Sequence, residues 1–123
     1  MALPKNQVHI LLSFQSGHSV QLQLSRHLAP RVFSGVVESL PLEGACSLTG
    51  GTAVLLVNLA VPVDKVKSIF EAGEVAYDPR LRAICLMLTK VQGVSMAPLG
   101  EVEDRVALSK IKNRDWFTMK LME

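Results

Sequence analysis

The chain has few aromatic residues, few cysteines, no dominant charge and no long apolar run, and each shortage closes off a class of function. Aromatic residues make up only 5% of 123. A stacking platform for a flat cofactor or a sugar needs more, so no cofactor is expected. The two cysteines, Cys46 and Cys85, stand in apolar surroundings. They are too few for a disulfide framework and read as buried, reduced packing residues of a cytoplasmic protein. Lys and Arg number 13 against 11 Asp and Glu, a net charge of +2. That balance excludes the clustered basic surface that binds nucleic acid. The nearest cluster, Lys110, Lys112 and Arg114, reads as cations at a helix C-terminus. The apolar run from Ala53 to Val61 contains Asn58 and is too short to span a membrane. The start, Met1 to Asn6, lacks the apolar core of a signal peptide. Neither nucleic acid nor a membrane is an expected partner.

Signatures of chemistry are missing as well. His9, His18 and His27 are the three histidines, and no acidic residue stands near them in sequence, so no metal site is expected. His9 and His27 read as exposed residues on a sheet edge. No serine sits in a Gly-x-Ser-x-Gly turn. Gly50-Gly51-Thr52 lacks the lysine and following helix of a phosphate loop. Glu101 and Glu103 share a strand face, but Asp104 beside them is explained by helix capping. No catalytic residue is assigned.

What is present is a surplus of apolar side chains in short alternating runs. Hydrophobic residues reach 49%, enough to fill one core in a single domain covering residues 1–123. Val8, Ile10, Leu12 and Phe14 alternate with outward residues, and Val20, Leu22 and Leu24 repeat the pattern. A three-residue loop at Ser16–His18 would pair Phe14 with Val20, and Ile10 with Leu24. An amphipathic helix follows from Pro30 to Leu40, with Val32, Phe33, Val36, Val37 and Leu40 on one stripe. Further strands are expected at 44–48, 53–59, 74–77, 82–89, 96–102 and 115–121. Asp64 is a candidate cap for a short helix carrying Val66, Ile69 and Phe70. Asp104 caps a second good helix bearing Ala107, Leu108 and Ile111, and Asn113 is a candidate C-terminal cap. Eight strands without a βαβ rhythm indicate a mostly β, closed eight-stranded antiparallel barrel capped by two helices.

Two strands break the barrel pattern. Ala53 to Val57 and Ala83 to Leu88 are apolar on both faces. Something must cover their outer sides, a helix, a loop or another chain; a second copy of the chain is the preferred cover, with covering by the chain itself the alternative, and a homo-oligomer is the expected state.

At this point a family resemblance enters. Gly73-Glu74-Val75-Ala76-Tyr77, a short loop and then Ala83-Ile84-Cys85-Leu86-Met87-Leu88 resemble a segment of the cyclophilin fold. Leu99-Gly100-Glu101-Val102-Glu103-Asp104, followed by Leu108 and Ile111, resembles its strand, glycine, strand and capped helix near the C-terminus. The chain is similar over nearly its whole length to minimal, uncharacterised cyclophilin-like proteins of prokaryotes. The resemblance implies an eight-stranded barrel with two helices. It does not carry over the isomerase machinery. The Phe-His-Arg-Val and Gln-Gly-Gly-Asp segments of prolyl isomerases are absent, and residues 44–63, where they belong, hold no charge.

The segment Tyr77-Asp78-Pro79-Arg80-Leu81-Arg82 combines the only tyrosine with two arginines. By the resemblance it borders a peptide groove. Tyr77 would give a flat contact, Arg80 or Arg82 would hold a carboxylate or carbonyl, and Met96 would stand on the neighbouring strand. The sequence thus reads as a cyclophilin-like binding module without efficient catalysis, its ligand a small anion or a peptide segment. A weak peptidyl-prolyl isomerase and a structural subunit of a larger assembly are the alternatives.

Overall fold

Alternation is what makes the barrel. The computed structural model describes residues 6–122. In it, β1 (Gln7–Phe14) and β2 (Ser19–Ser25) turn their even-numbered apolar residues inward, from Val8 to Leu24. The helix α1 (Pro30–Ser39) follows a short 3-10 turn at Arg26–Leu28. Then come β3 (Leu42–Thr49), β4 (Thr52–Leu55), β5 (Lys67–Phe70), β6 (Glu74–Asp78), β7 (Ala83–Met87) and β8 (Val91–Val102). A 3-10 helix at Arg105–Lys110 leads to the last strand, β9 (Trp116–Leu121).

The strands run in the order β2-β1-β9-β3-β4-β7-β6-β8, and β8 pairs back with β2. All the pairings are antiparallel. The result is a closed eight-stranded barrel, as the alternation indicates. The closing seam is short: Leu22 pairs with Val102, Gln23 with Glu101 and Leu24 with Gly100. β5 is an extra strand, paired with the N-terminal half of β8 outside this ring.

Two helices close the mouths. β2 leads towards α1 and β8 leads into the 3-10 helix at Arg105–Lys110. Because β2 and β8 are antiparallel neighbours, those two ends lie at opposite rims. Val32, Phe33 and Val36 of α1 enter the interior at one rim, and Leu108 and Ile111 enter it at the other. Between them the interior is filled by side chains from the strands, among them Ile10, Leu12, Leu55, Leu86 and Phe117. A barrel of eight strands has room for a packed core and no channel.

The cover over the doubly apolar strands comes from the chain itself. β5 and the N-terminal half of β8 form a two-stranded flap against the outer wall. Phe70, Met96, Val91 and Val94 of the flap pack on Val54, Ala76, Ala83, Cys85 and Met87 of the wall. The outer faces of β4 and β7 therefore have their apolar partner without a second copy.

Four local expectations are corrected. The β1–β2 register is shifted by two residues, with Leu12 opposite Val20 and Ile10 opposite Leu22. The loop is still three residues long but lies at 15–17, where Phe14 N donates to His18 O and the Phe14 and His18 rings stack 4.7 Å apart. The segment after Asp64 is a strand and not a helix, because flap pairing with β8 satisfies its backbone. Asp64 instead accepts from Arg31 N in the first turn of α1, at 3.4 Å. Asn113 does not cap the 3-10 helix. Its Oδ1 accepts from Leu48 N at 3.0 Å and ties the following loop to β3. Asp104 does cap that helix, accepting from Val106 N at 3.0 Å.

Candidate functional site

The structure does not bring Tyr77, Arg80, Arg82 and Met96 together. Tyr77 is buried in the barrel interior, where its hydroxyl donates to Leu59 O and accepts from Val61 N at 3.4 Å. It pins the irregular segment that follows β4. Tyr77 pairs with Ala97, so Met96 points the other way, into the cluster beneath the flap. The wall separates the two side chains. Arg80 is exposed, 3.7 Å from Asp78, and Arg82 is exposed with a positive φ of 53°. Tyr77 and Met96 thus serve packing, which leaves only the two arginines on the surface.

The histidines are dispersed. His9 stands opposite Gln23, and its Nδ1 lies 2.7 Å from Glu103 Oε1. Among the described residues no group of three His, Cys, Asp or Glu could hold a metal ion. Nor is any described helix long and apolar enough to cross a membrane.

Both cysteines are buried and free. Burial, with Asp78 adding repulsion, pushes the Cys85 thiol up to about 12, and burial with Asp115 pushes Cys46 up to about 11. Neither is a nucleophile at neutral pH. Both native values exceed the ordinary 9.0 of the unfolded chain. Stability from this source is therefore whole below pH 9. It falls as pH climbs towards 11 and 12, because the unfolded state gives up its thiol protons first. Urea midpoints measured from pH 8 to pH 11 should fall, and the slope should flatten in the Cys46→Ala, Cys85→Ala double variant. An unchanged slope would contradict thiol burial as its cause.

A polar cleft is found on the outer wall, beside the flap. It encloses about 480 Å³. Its floor is Gln23, Gly100 and Glu101, where β2 and β8 close the barrel. His27 and Leu28 border it, as do Glu71 from the β5–β6 turn and Glu74 at the start of β6. Gln23, Glu101 and Glu74 form one row, since Glu101 pairs with Gln23 on one side and with Glu74 on the other.

The charges in this cleft are unequally satisfied. Glu74 Oε2 lies 2.7 Å from Lys67 Nζ, and Glu74 Oε1 accepts from Glu71 N at 2.9 Å. Glu71 lies 3.9 Å from Lys90. Glu101 and Arg105 line the same cleft, and neither is seen to pair with a described side chain. The placement of Arg105 is set by Gly73. A Cβ at Gly73 would sit 2.7 Å from Arg105 Nε, so a side chain there would displace the arginine. The cleft therefore offers the carboxylate of Glu101 and the guanidinium of Arg105, neither paired with a described side chain, beside Glu74, which is held by Lys67, and Glu71, which only approaches Lys90.

Sequence reasoning placed Glu101 and Glu103 on one strand face but gave Arg105 no role. Its position depends on the close approach of the 3-10 helix to Gly73, 32 residues earlier by the chain numbering. No local pattern encodes that contact.

No family model matches the chain, and no curated protein matches it in sequence. Solved structures do share its fold. The hypothetical protein AF2241 from Archaeoglobus fulgidus, known from a solution structure, is 17% identical with a TM-score of 0.78. The match covers 99% of this chain and all of that one (100%). McbB, solved in complex with tryptophan, is also 17% identical, with a TM-score of 0.74 over 90% of this chain. The chain spans 44% of McbB. At this identity the likeness is one of fold alone. The barrel is what they share.

Proposed function

We propose that the domain is a binding module on a cyclophilin-like barrel, without efficient catalysis of its own. Its ligand is a small zwitterion, an amino acid or a short peptide, held in the cleft beside the flap. The observation that carries this reading is the pair of opposite charges, Glu101 and Arg105, which line one cleft and pair with no described side chain, while Glu74 beside them is held by Lys67. An ammonium suits Glu101, and a carboxylate suits the planar donors of Arg105. Gln7 and Gln23 add neutral donors and acceptors for an amide. The tryptophan in the McbB complex is itself a zwitterion, which supports the ligand class. The cyclophilin-like character rests on the glycine-led strands at Gly73 and Gly100. The absence of the isomerase segments argues against efficient prolyl isomerisation.

Glycylglycine is the simplest probe, because it carries both charges and an amide but no side chain. Calorimetric titration should show binding, and Glu101→Gln or Arg105→Gln should each weaken it about five- to ten-fold. Both positions are exposed, so both variants should fold as the parent does. Binding that is absent, or indifferent to both substitutions, would overturn the assignment.

A further inference from the structure

Arg105 borders a second hollow as well as the polar cleft. This hollow lies at the barrel mouth beneath the 3-10 helix at Arg105–Lys110 and encloses about 330 Å³. Its walls are Leu48, Leu88, Leu108, Ile111 and Ala72. Among the described residues, Arg105 is the only charged one lining it. Ser109 also reaches it, but its hydroxyl already donates to Val106 O at 2.8 Å. The hollow is thus an apolar surface with one arginine at its edge, and that arginine also lines the cleft.

We infer that the hollow receives an apolar side chain, and that the ligand is an α-carboxylate carrying that side chain on the adjacent carbon. The inference rests on the cleft reading and narrows it. If the carboxylate is held by Arg105, whatever is bonded next to it lies within reach of both hollows. The ammonium side of the ligand turns towards Glu101. The remaining substituent turns towards Leu88, Leu108 and Ile111, where a charged or strongly polar group would be desolvated without a partner. An aliphatic or aromatic group would instead remove apolar surface from water. The ligand class is therefore leucine-like or aromatic amino acids, or peptides ending in such a residue.

Four small probes test this: glycine, leucine, glycylglycine and glycyl-leucine, each titrated against the full chain by calorimetry or amide NMR shifts. Leucine should bind about ten-fold or more tightly than glycine, and glycyl-leucine more tightly than glycylglycine by a similar factor. Comparing leucine with glycyl-leucine separates a free amino acid from a C-terminal residue. Ala72→Leu narrows the hollow and should bring the leucine probes down to the level of the glycine probes, leaving the latter unchanged. Leu88→Asn should do the same and serves if the first variant loses its native amide spectrum. Glycine probes that bind, with leucine probes no tighter, would overturn the hollow while leaving the cleft. If none of the four binds, both readings fall.

Discussion

Replacing Gly100 with alanine should unfold the domain or bring it close to unfolding, at a cost of about 4 kcal/mol or more. A Cβ at Gly100 would overlap Gln23 O and lie 2.9 Å from Leu24 Cα, all of it backbone that cannot rotate away. Gly100 belongs to one of only three residue pairs that close the barrel between β2 and β8. Prying those strands apart exposes the interior on both sides of the seam. Domains of this size hold about 5–15 kcal/mol in reserve. Gly93→Ala is the control. There the added Cβ meets nothing within 4 Å, and the cost comes only from a φ of +78°, about 1–2 kcal/mol. Urea unfolding followed by far-ultraviolet circular dichroism compares the two. Equal losses would mean that the seam is not the weak point of the fold.

Phe70→Ala should release the flap while leaving the barrel closed. Phe70 is fully buried and is the largest side chain that the flap places on the wall. Truncating a buried phenylalanine costs about 3–5 kcal/mol. The loss falls on a cluster separate from the main core, so it should appear as local opening. Cys85 lies under the flap and Cys46 lies inside the barrel, which makes the two thiols reporters of separate regions. In the variant, Cys85 should react with a thiol reagent at least about ten times faster than in the parent, and Cys46 should stay protected. Simultaneous labelling of both would show that flap and barrel open as one unit.

The barrel was legible because its strands alternate, and alternation survives small errors of pairing. The β1–β2 register shows the limit. Moving the pairing by two residues keeps Leu12 and Val20 inward, so periodicity cannot distinguish the observed register from its neighbour. The ring stack of Phe14 on His18 accompanies the observed choice, and no hydrophobic count contains it. β5 was missed for a related reason. Only Phe70 of its four residues is buried, so it has no alternation to read, and Val66, Ile69 and Phe70 imitate a helical stripe. The need for a cover over Ala53 to Val57 and Ala83 to Leu88 was legible. Its source was not, because the covering residues, Phe70 and Met96, come from two segments joined only by pairing across the flap.

The site was less legible than the fold. Tyr77 and Met96 do come from neighbouring strands, but neighbouring strands do not imply a shared face. One residue of offset from Ala97 sends Met96 to the opposite side of the wall. The family resemblance implied a groove beside Tyr77 and the two arginines, whereas the tyrosine hydroxyl is engaged with Leu59 and Val61. The cleft assembles residues from β1, β2, β6 and β8 around the seam, and it follows from closure rather than from any motif.

The most direct test of the cleft is a residue-by-residue map of amide shifts as glycyl-leucine is titrated into the isotope-labelled protein. A peptide ending in Ala-Pro serves as a second ligand and reports cis/trans exchange in the same experiment. The cleft reading expects saturable shifts centred on Gln23, Glu101 and Arg105, without accelerated prolyl exchange. Shifts centred on Arg80 and Arg82, or accelerated exchange, or no saturable shifts at all, would contradict it.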